Sequence, residues 1–141
     1  MYDTSVLVAA LLVEHSNHDE AFLLLELAQK GEAEGYISTH SLAELYAVMT
    51  RLPESLKILP GEARGLIEDL LNYLQPVPLK VDDYQQAISR LATLRMAGGV
   101  MFDAIIAQAA LKAGVDHLIT LNTKDFVRLG DDIATIVRSS L

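Results

Sequence analysis

Hydrophobic positions along the chain switch repeatedly between a helical spacing and short apolar runs. After Asp3, residues 5–13 are almost wholly apolar and predict a short helix. Residues 17–30 predict a clearer one, with Asn17 placed as N-cap and Ala21, Leu24, Leu25 and Ala28 on one face. Gly31 and Gly35 bracket its end, and EGYIST (34–39) predicts a short strand. The helical spacing returns from His40 to Arg51 and stops before Pro53. Residues 53–61 carry two prolines and predict a loop, and 62–74 predict another amphipathic helix. PVPLKV (76–81) predicts a strand, after which Asp82 or Asp83 caps a helix running to about Arg95. Gly98 and Gly99 break the chain, and FDAIIAQAALKAG predicts a helix closed by Gly114. HLITLN (117–122) and IATIV (133–137) predict the last strands.

Helices that separate short apolar strands imply an α/β fold, with a mainly parallel central sheet and helices on both faces. No repeat, low-complexity tract or long linker divides the chain, so residues 1–141 are expected to form a single domain. In open sheets of this kind the ligand site lies beyond the carboxyl ends of the strands. Asp3 falls where a first strand would end. Only Met1 and Tyr2 precede it, so either that strand is very short or the chain begins a few residues late.

Composition narrows the chemistry. About half of the 141 residues are hydrophobic and few are aromatic, so the core must be mostly Leu, Ile, Val and Ala. The absence of cysteine excludes disulfides, thiolate metal sites and a thiol nucleophile. The first twelve residues do not read as a signal peptide, and no apolar run reaches the roughly 18 residues of a membrane span. A soluble cytoplasmic protein with no membrane role is therefore expected. The net charge of −8 argues against general electrostatic capture of nucleic acid, yet leaves room for a nuclease built on carboxylates. It also suits a basic protein partner.

Most of the nineteen Asp and Glu residues have polar neighbours and read as solvated faces and caps, Asp82, Asp83, Asp131 and Asp132 among them. Three do not. Asp3 is the only charge before Glu14, Glu44 the only formal charge between His40 and Arg51, and Asp103 the only charge between Arg95 and Lys112. A carboxylate in apolar surroundings loses hydration and must be compensated. Singly, Asp3 and Asp103 also read as N-caps, and Glu44 as a partly exposed residue on a mostly buried helix. Together with Asp125, after the strand LITLN, they can converge on one end of a parallel sheet. Two carboxylates 4 Å apart repel by roughly 4 kcal/mol at an effective dielectric near 20, so such a cluster needs a cation. With no Cys and no paired His the donors are hard oxygens, which suit Mg²⁺ or Mn²⁺. Such a site activates water and steadies a phosphoryl oxyanion.

The pieces YDTSVLVAAL, ISTHSLAELYAV, GGVMFDAIIAQAAL and LITLNTKDF, in this order over nearly the whole chain, resemble a PIN domain of the VapC-like toxin type. The resemblance implies a three-layer α/β/α sandwich and a Mg²⁺- or Mn²⁺-dependent ribonuclease acting on RNA. It also implies a homodimer and a cognate antitoxin protein, as in a toxin–antitoxin pair. Its acidic residues map onto Asp3, Glu44, Asp103 and, in the fourth place, Asp125, with Asn122 at a neighbouring polar position that some members use. Thr4 and Ser5 hold the hydroxyl or amide positions that follow the first aspartate. Ser5 is placed to orient Asp3 or a metal-bound water, or is a simple helix-start hydroxyl. Thr120 is either strand filler or a hydrogen-bonding support for the site. The chain departs from the family in having so few apolar residues before its first aspartate.

On this reading Asp3, Asp103 and Asp125 hold the metal and Glu44 ligates it or positions the nucleophile. Lys112, Lys124 and Arg128 are candidates for phosphate contact or ordinary surface charges, and His40 is a weak candidate for substrate contact. Two other readings stand beside it. One is Mg²⁺-dependent phosphotransfer through an aspartyl phosphate at Asp3, although Ser5 stands where the haloacid-dehalogenase pattern wants a second aspartate. The other is a non-catalytic binding module that keeps the fold and recruits a protein partner.

Overall fold

The computed structural model describes residues 1–139. Along them run α1 (Thr4–Leu11), α2 (His18–Gln29), β1 (Gly35–Ser38), α3 (Thr39–Met49), a 3-10 turn (Glu54–Leu56) and α4 (Pro60–Leu70). Then come β2 (Leu74–Val77), α5 (Val81–Leu94), α6 (Val100–Ala113), β3 (Leu118–Ile119), α7 (Thr123–Val127), α8 (Asp131–Ala134) and β4 (Val137–Arg138). Every strand pairing is parallel: β1 with β2, and β3 with β4. Tyr2 joins the two halves by bridging Ile37 on one side and Ile119 on the other. Its N–H donates to Tyr36 O, Ile119 N–H to Met1 O and Asp3 N–H to Ile119 O, each at 2.9 Å. The first strand is thus barely longer than one residue, yet it lies at the centre, in the order β2–β1–Tyr2–β3–β4.

Strand residues alternate between two cores, as the pleat requires. Tyr2, Ile37, Leu74 and Ile119 enter the core shared with α1–α4, whereas Met1, Val77, Leu118 and Val137 enter the one shared with α5–α8. The result is three layers, α/β/α. On α2 the buried residues are Ala21, Leu24, Leu25 and Ala28, the face that the sequence spacing marks out. Helix α6 is buried from Ala104 to Ala110, which explains why its sequence is apolar nearly all round. Gly35 lets β1 approach its neighbours: a Cβ there would meet Leu74 Cδ2 at 2.4 Å and Ala28 Cβ at 2.8 Å.

Several local expectations are corrected. The strand expected at 76–81 runs instead over Leu74–Val77. Asp83 takes the Lys80 N–H at 2.7 Å and starts α5 there, removing residues 80 and 81 from the sheet. Pro76, opposite Ile37, is tolerated because β2 lies at the edge of the described sheet. Likewise IATIV is not one strand. The Asp132 carboxylate accepts the Ile133 N–H at 3.0 Å, Asp131–Ala134 is helical, and pairing begins only at Val137. The helix α4 starts earlier than residue 62 and ends by Leu70, with Pro60 in its first turn and Glu62 accepting the Leu59 N–H at 2.8 Å. HLITLN pairs only at Leu118–Ile119, with one further bond from Thr120 N–H to Arg138 O, and its end leads into a helix, α7, that the spacing does not predict. Asn17 heads α2 but makes no side-chain cap bond.

Candidate active site

The carboxyl ends of the parallel strands open onto a cleft of about 590 Å³. Asp3, Glu44 and Asp103 all line it, with Ser5 and Asn122 beside them. Each arrives on a different element. Asp3 follows the central residue Tyr2 and heads α1, Glu44 lies one turn inside α3 and Asp103 lies in the first turn of α6. Because α6 begins at Val100, Asp103 is already within the helix and does not cap it, so the capping reading of this residue fails. Asp3 does both jobs: it is the N-cap of α1, accepting the Ser5 N–H at 3.4 Å, and it faces the cleft.

Asp3 is buried, and its oxygen Oδ2 is compensated by protein donors. Thr120 Oγ1 donates to it at 2.8 Å and Ser5 Oγ at 2.5 Å, besides the Ser5 N–H. Each hydroxyl is itself directed by a backbone donor. Asn122 N–H donates to Thr120 Oγ1 at 3.0 Å and Leu121 N–H to Ser5 Oγ at 3.2 Å. An oxygen that accepts an N–H has its own proton free to turn elsewhere, here toward the carboxylate. Two short relays therefore run from the β3–α7 connection through hydroxyls to Asp3 Oδ2. Oδ1 takes no part in them. The neighbouring Thr4 serves a different acid, donating from Oγ1 to Glu44 Oε2 at 2.7 Å.

The opposite wall has no comparable donors. Burial, and then the charges of Asp3, Asp125 and Glu44, push the Asp103 carboxyl up to about 6, with Arg128 acting in the opposite direction. All four candidate acids thus share one electrostatic field. Asp125 does not line the cleft, however; it sits in the first turn of α7 and pairs with Arg128 at 3.2 Å. Asn122 lines the cleft where Asp125 does not. Lys112 is spoken for elsewhere, donating to Asp83 and to Pro78 O at 2.6 Å each, so it is no phosphate ligand as placed.

Among the described residues, no group of three or more His, Asp or Glu side chains is set to hold a metal ion. Gathering Asp3, Glu44 and Asp103 onto one cation therefore requires side-chain rotation. The donor set nonetheless fits a hard divalent ion in its chemistry, because every ligand candidate is an oxygen and Asp103 is held in an excess of negative charge. His15 and Asn17, from the α1–α2 connection, also line the cleft, and Asn17 N–H donates to His15 Nδ1 at 3.1 Å. The sequence marks Asn17 only as a helix start and His15 not at all, and the folding of α1 back toward α2 brings them here. His40 lies 3.7 Å from Glu44 and stacks on Phe102, the residue before Asp103.

The layers and the acidic cleft at the strand ends define an α/β/α domain, and comparison with known proteins gives its family. The PIN domain matches residues 1–132. Ribonuclease VapC27 of Mycobacterium tuberculosis is 31% identical over 123 residues, covering 87% of this chain and 82% of that one. Ribonuclease VapC40 of the same species is 32% identical over 118 residues, 82% and 81% of the two chains. The chain belongs to the PIN-domain family, alongside the VapC proteins. A crystal structure of VapBC2 from Rickettsia felis, bound to a DNA fragment from their promoter, shares the fold with a TM-score of 0.69 at 23% identity, over 98% of this chain and 96% of that one.

Proposed function

We propose that this single-domain chain is a divalent-metal-dependent ribonuclease that hydrolyses RNA phosphodiester bonds, the toxin of a toxin–antitoxin pair. The observation that carries the reading is the convergence of Asp3, Glu44 and Asp103 on one cleft, in a chain whose relatives are ribonucleases VapC. A cytoplasmic homodimer held in check by a cognate antitoxin belongs to the same proposal. No helix among the described residues is long and apolar enough to cross a membrane.

Asp3, Glu44 and Asp103 would hold Mg²⁺ or Mn²⁺, with the fourth place taken by Asp125 or Asn122. Such an ion supplies water activation and charge stabilisation at phosphorus. The chain's own contribution is positional. Thr120 and Ser5 fix one oxygen of Asp3 and leave the other for the ion, and Thr4 orients Glu44 toward the nucleophile. Asp103 must lose its proton to take part, which sets the acid limit of activity. Phosphotransfer through Asp3 is disfavoured, since Ser5 stands at the second-aspartate position and donates into the would-be nucleophile.

The test is cleavage of an RNA substrate with Mn²⁺ or Mg²⁺, against chelator and against Asp3→Asn and Asp103→Asn. Cleavage is expected to need the ion and both acids. Undiminished cleavage by both variants would rule this site out, and failure to bind Mn²⁺ in a titration would favour the non-catalytic module.

A further inference from the structure

We propose that the stack of His40 on Phe102 is a nucleobase platform, seating one unpaired base of the RNA beside the acidic cleft. This rests on the ribonuclease reading above. The two rings lie parallel, with planes 8° apart and centroids 5.3 Å apart, the offset arrangement that π-systems favour. They come from different helices, and each is next to a site acid. His40 is one helical turn before Glu44, with Nε2 3.7 Å from Glu44 Oε1, and Phe102 immediately precedes Asp103. The imidazole covers part of the Phe102 ring, and half of this residue remains exposed to solvent. A half-exposed aromatic ring beside the site acids offers a surface on which an unpaired base can stack.

Electrostatics explains why the platform is needed. The chain carries a net charge of −8, and three of its carboxylates line the cleft that the phosphates must approach. Lys112 is committed to Asp83, and Arg128 to Asp125. Cations on the protein can therefore supply only part of the affinity, and uncharged contact with the bases must supply much of the rest. Stacking does this without regard to charge, and it requires a base that is free of its own helix. A base seated on Phe102 would fix the register of the strand relative to Asp103, one residue away.

The chain contains no tryptophan, so Phe102→Trp places the only tryptophan at the platform, where it can be excited apart from the five tyrosines. In an Asp3→Asn background, which leaves RNA intact, a single-stranded oligoribonucleotide is expected to quench it saturably. Tyr84→Trp, on α5 beside the Asp83–Lys112 pair, is the control and should stay unquenched. In steady-state cleavage, Phe102→Leu should raise KM roughly tenfold with kcat nearly unchanged, and Phe102→Trp should restore KM. An oligonucleotide that binds by anisotropy without quenching Trp at position 102 overturns the platform, as does an unchanged KM in Phe102→Leu. Absence of both RNA binding and metal-dependent cleavage in the unaltered protein overturns the ribonuclease reading instead, and the platform with it.

Discussion

Two regions of the molecule hold acidic side chains between packed helices, and they treat them in opposite ways. On the α5–α8 side Asp83 and Asp132 each have a cation. Asp83 meets Lys112 at 2.6 Å as well as the Lys80 N–H, and Asp132 is gripped by both Arg90 nitrogens at 2.8 and 2.6 Å. Hydrogen bonds from Lys112 and from Arg90 are the main reason that these two carboxyls lie below the usual carboxylate range. At the strand ends, burial and then the three acids around it push Asp103 up to about 6. The paired acids tie α5 to α6 and to α8, and their charge is spent within the fold. The unpaired ones hold charge at a cleft where a cation can enter. Acids whose environments push their proton affinity up mark candidate functional sites for this reason.

The largest effect that separates the two regions should be on cleavage. Asp3→Asn or Asp103→Asn is expected to lower metal-dependent RNA cleavage by roughly 10²–10³-fold or more, while the metal-free melting temperature of Asp103→Asn stays level or rises. A parallel loss of folding would mean that these acids are structural like Asp83. Next comes the support behind Asp3. Thr120→Val removes a donor to Asp3 and an acceptor for the Asn122 N–H, and should cost about 10–100-fold in metal affinity or activity and about 1–3 kcal/mol in stability. Mn²⁺ titration and thermal unfolding measure the two.

The regions should also answer pH with opposite signs. Asp103 binds its proton more tightly folded than unfolded, so metal-free stability should rise as pH falls from 7 through about 6 toward 4. Asp83 and Asp132 have depressed values, so the stability they contribute is present above the unfolded carboxylate range and lost only below it. A metal-free melting profile with an acid-side maximum, flattened on its neutral limb by Asp103→Asn, is the expected result. At limiting Mn²⁺, cleavage should fall as pH drops through about 6, with saturating Mn²⁺ moving the fall to lower pH because ion and proton compete. The smallest effect on activity belongs to Lys112→Met. It should lower the melting temperature by stranding the buried Asp83 while leaving cleavage within about twofold, since neither Lys112 nor Asp83 lines the cleft.

Legibility in the sequence followed the range of the interactions involved. The buried face of α2 depends on spacing within one helix and could be read residue by residue. The isolated acids Asp3, Glu44 and Asp103 could be picked out because each breaks an apolar stretch, which needs no knowledge of the fold. Residues 76–81 and 133–137 were harder, because a short apolar run suits a strand or a helix turn equally. Asp83 settled the first by taking the Lys80 N–H, whereas α8 and α7 are closed by backbone bonds, Ala134 N–H to Gly130 O at 2.9 Å and Asp125 N–H to Asn122 O at 3.0 Å. Asp125 itself shows the limit of order and spacing. Its charge reaches Asp103, yet its side chain turns to Arg128, a choice made by the turn of a five-residue helix.

By itself, then, the sequence determined the alternation of helices and parallel strands, the α2 face and the identity of the acids that lack local compensation. These rest on periodicity and on the cost of charge among apolar neighbours, both of which are properties of the linear chain. Tertiary structure alone decided that one residue, Tyr2, suffices as the central strand, because neighbours on both sides supply its pairing. It alone turned Thr120 toward Asp3, brought His15 to the cleft and laid Phe102 against His40. Each of these joins residues far apart in the chain or on different elements, and no local pattern encodes a contact that forms only when the layers close.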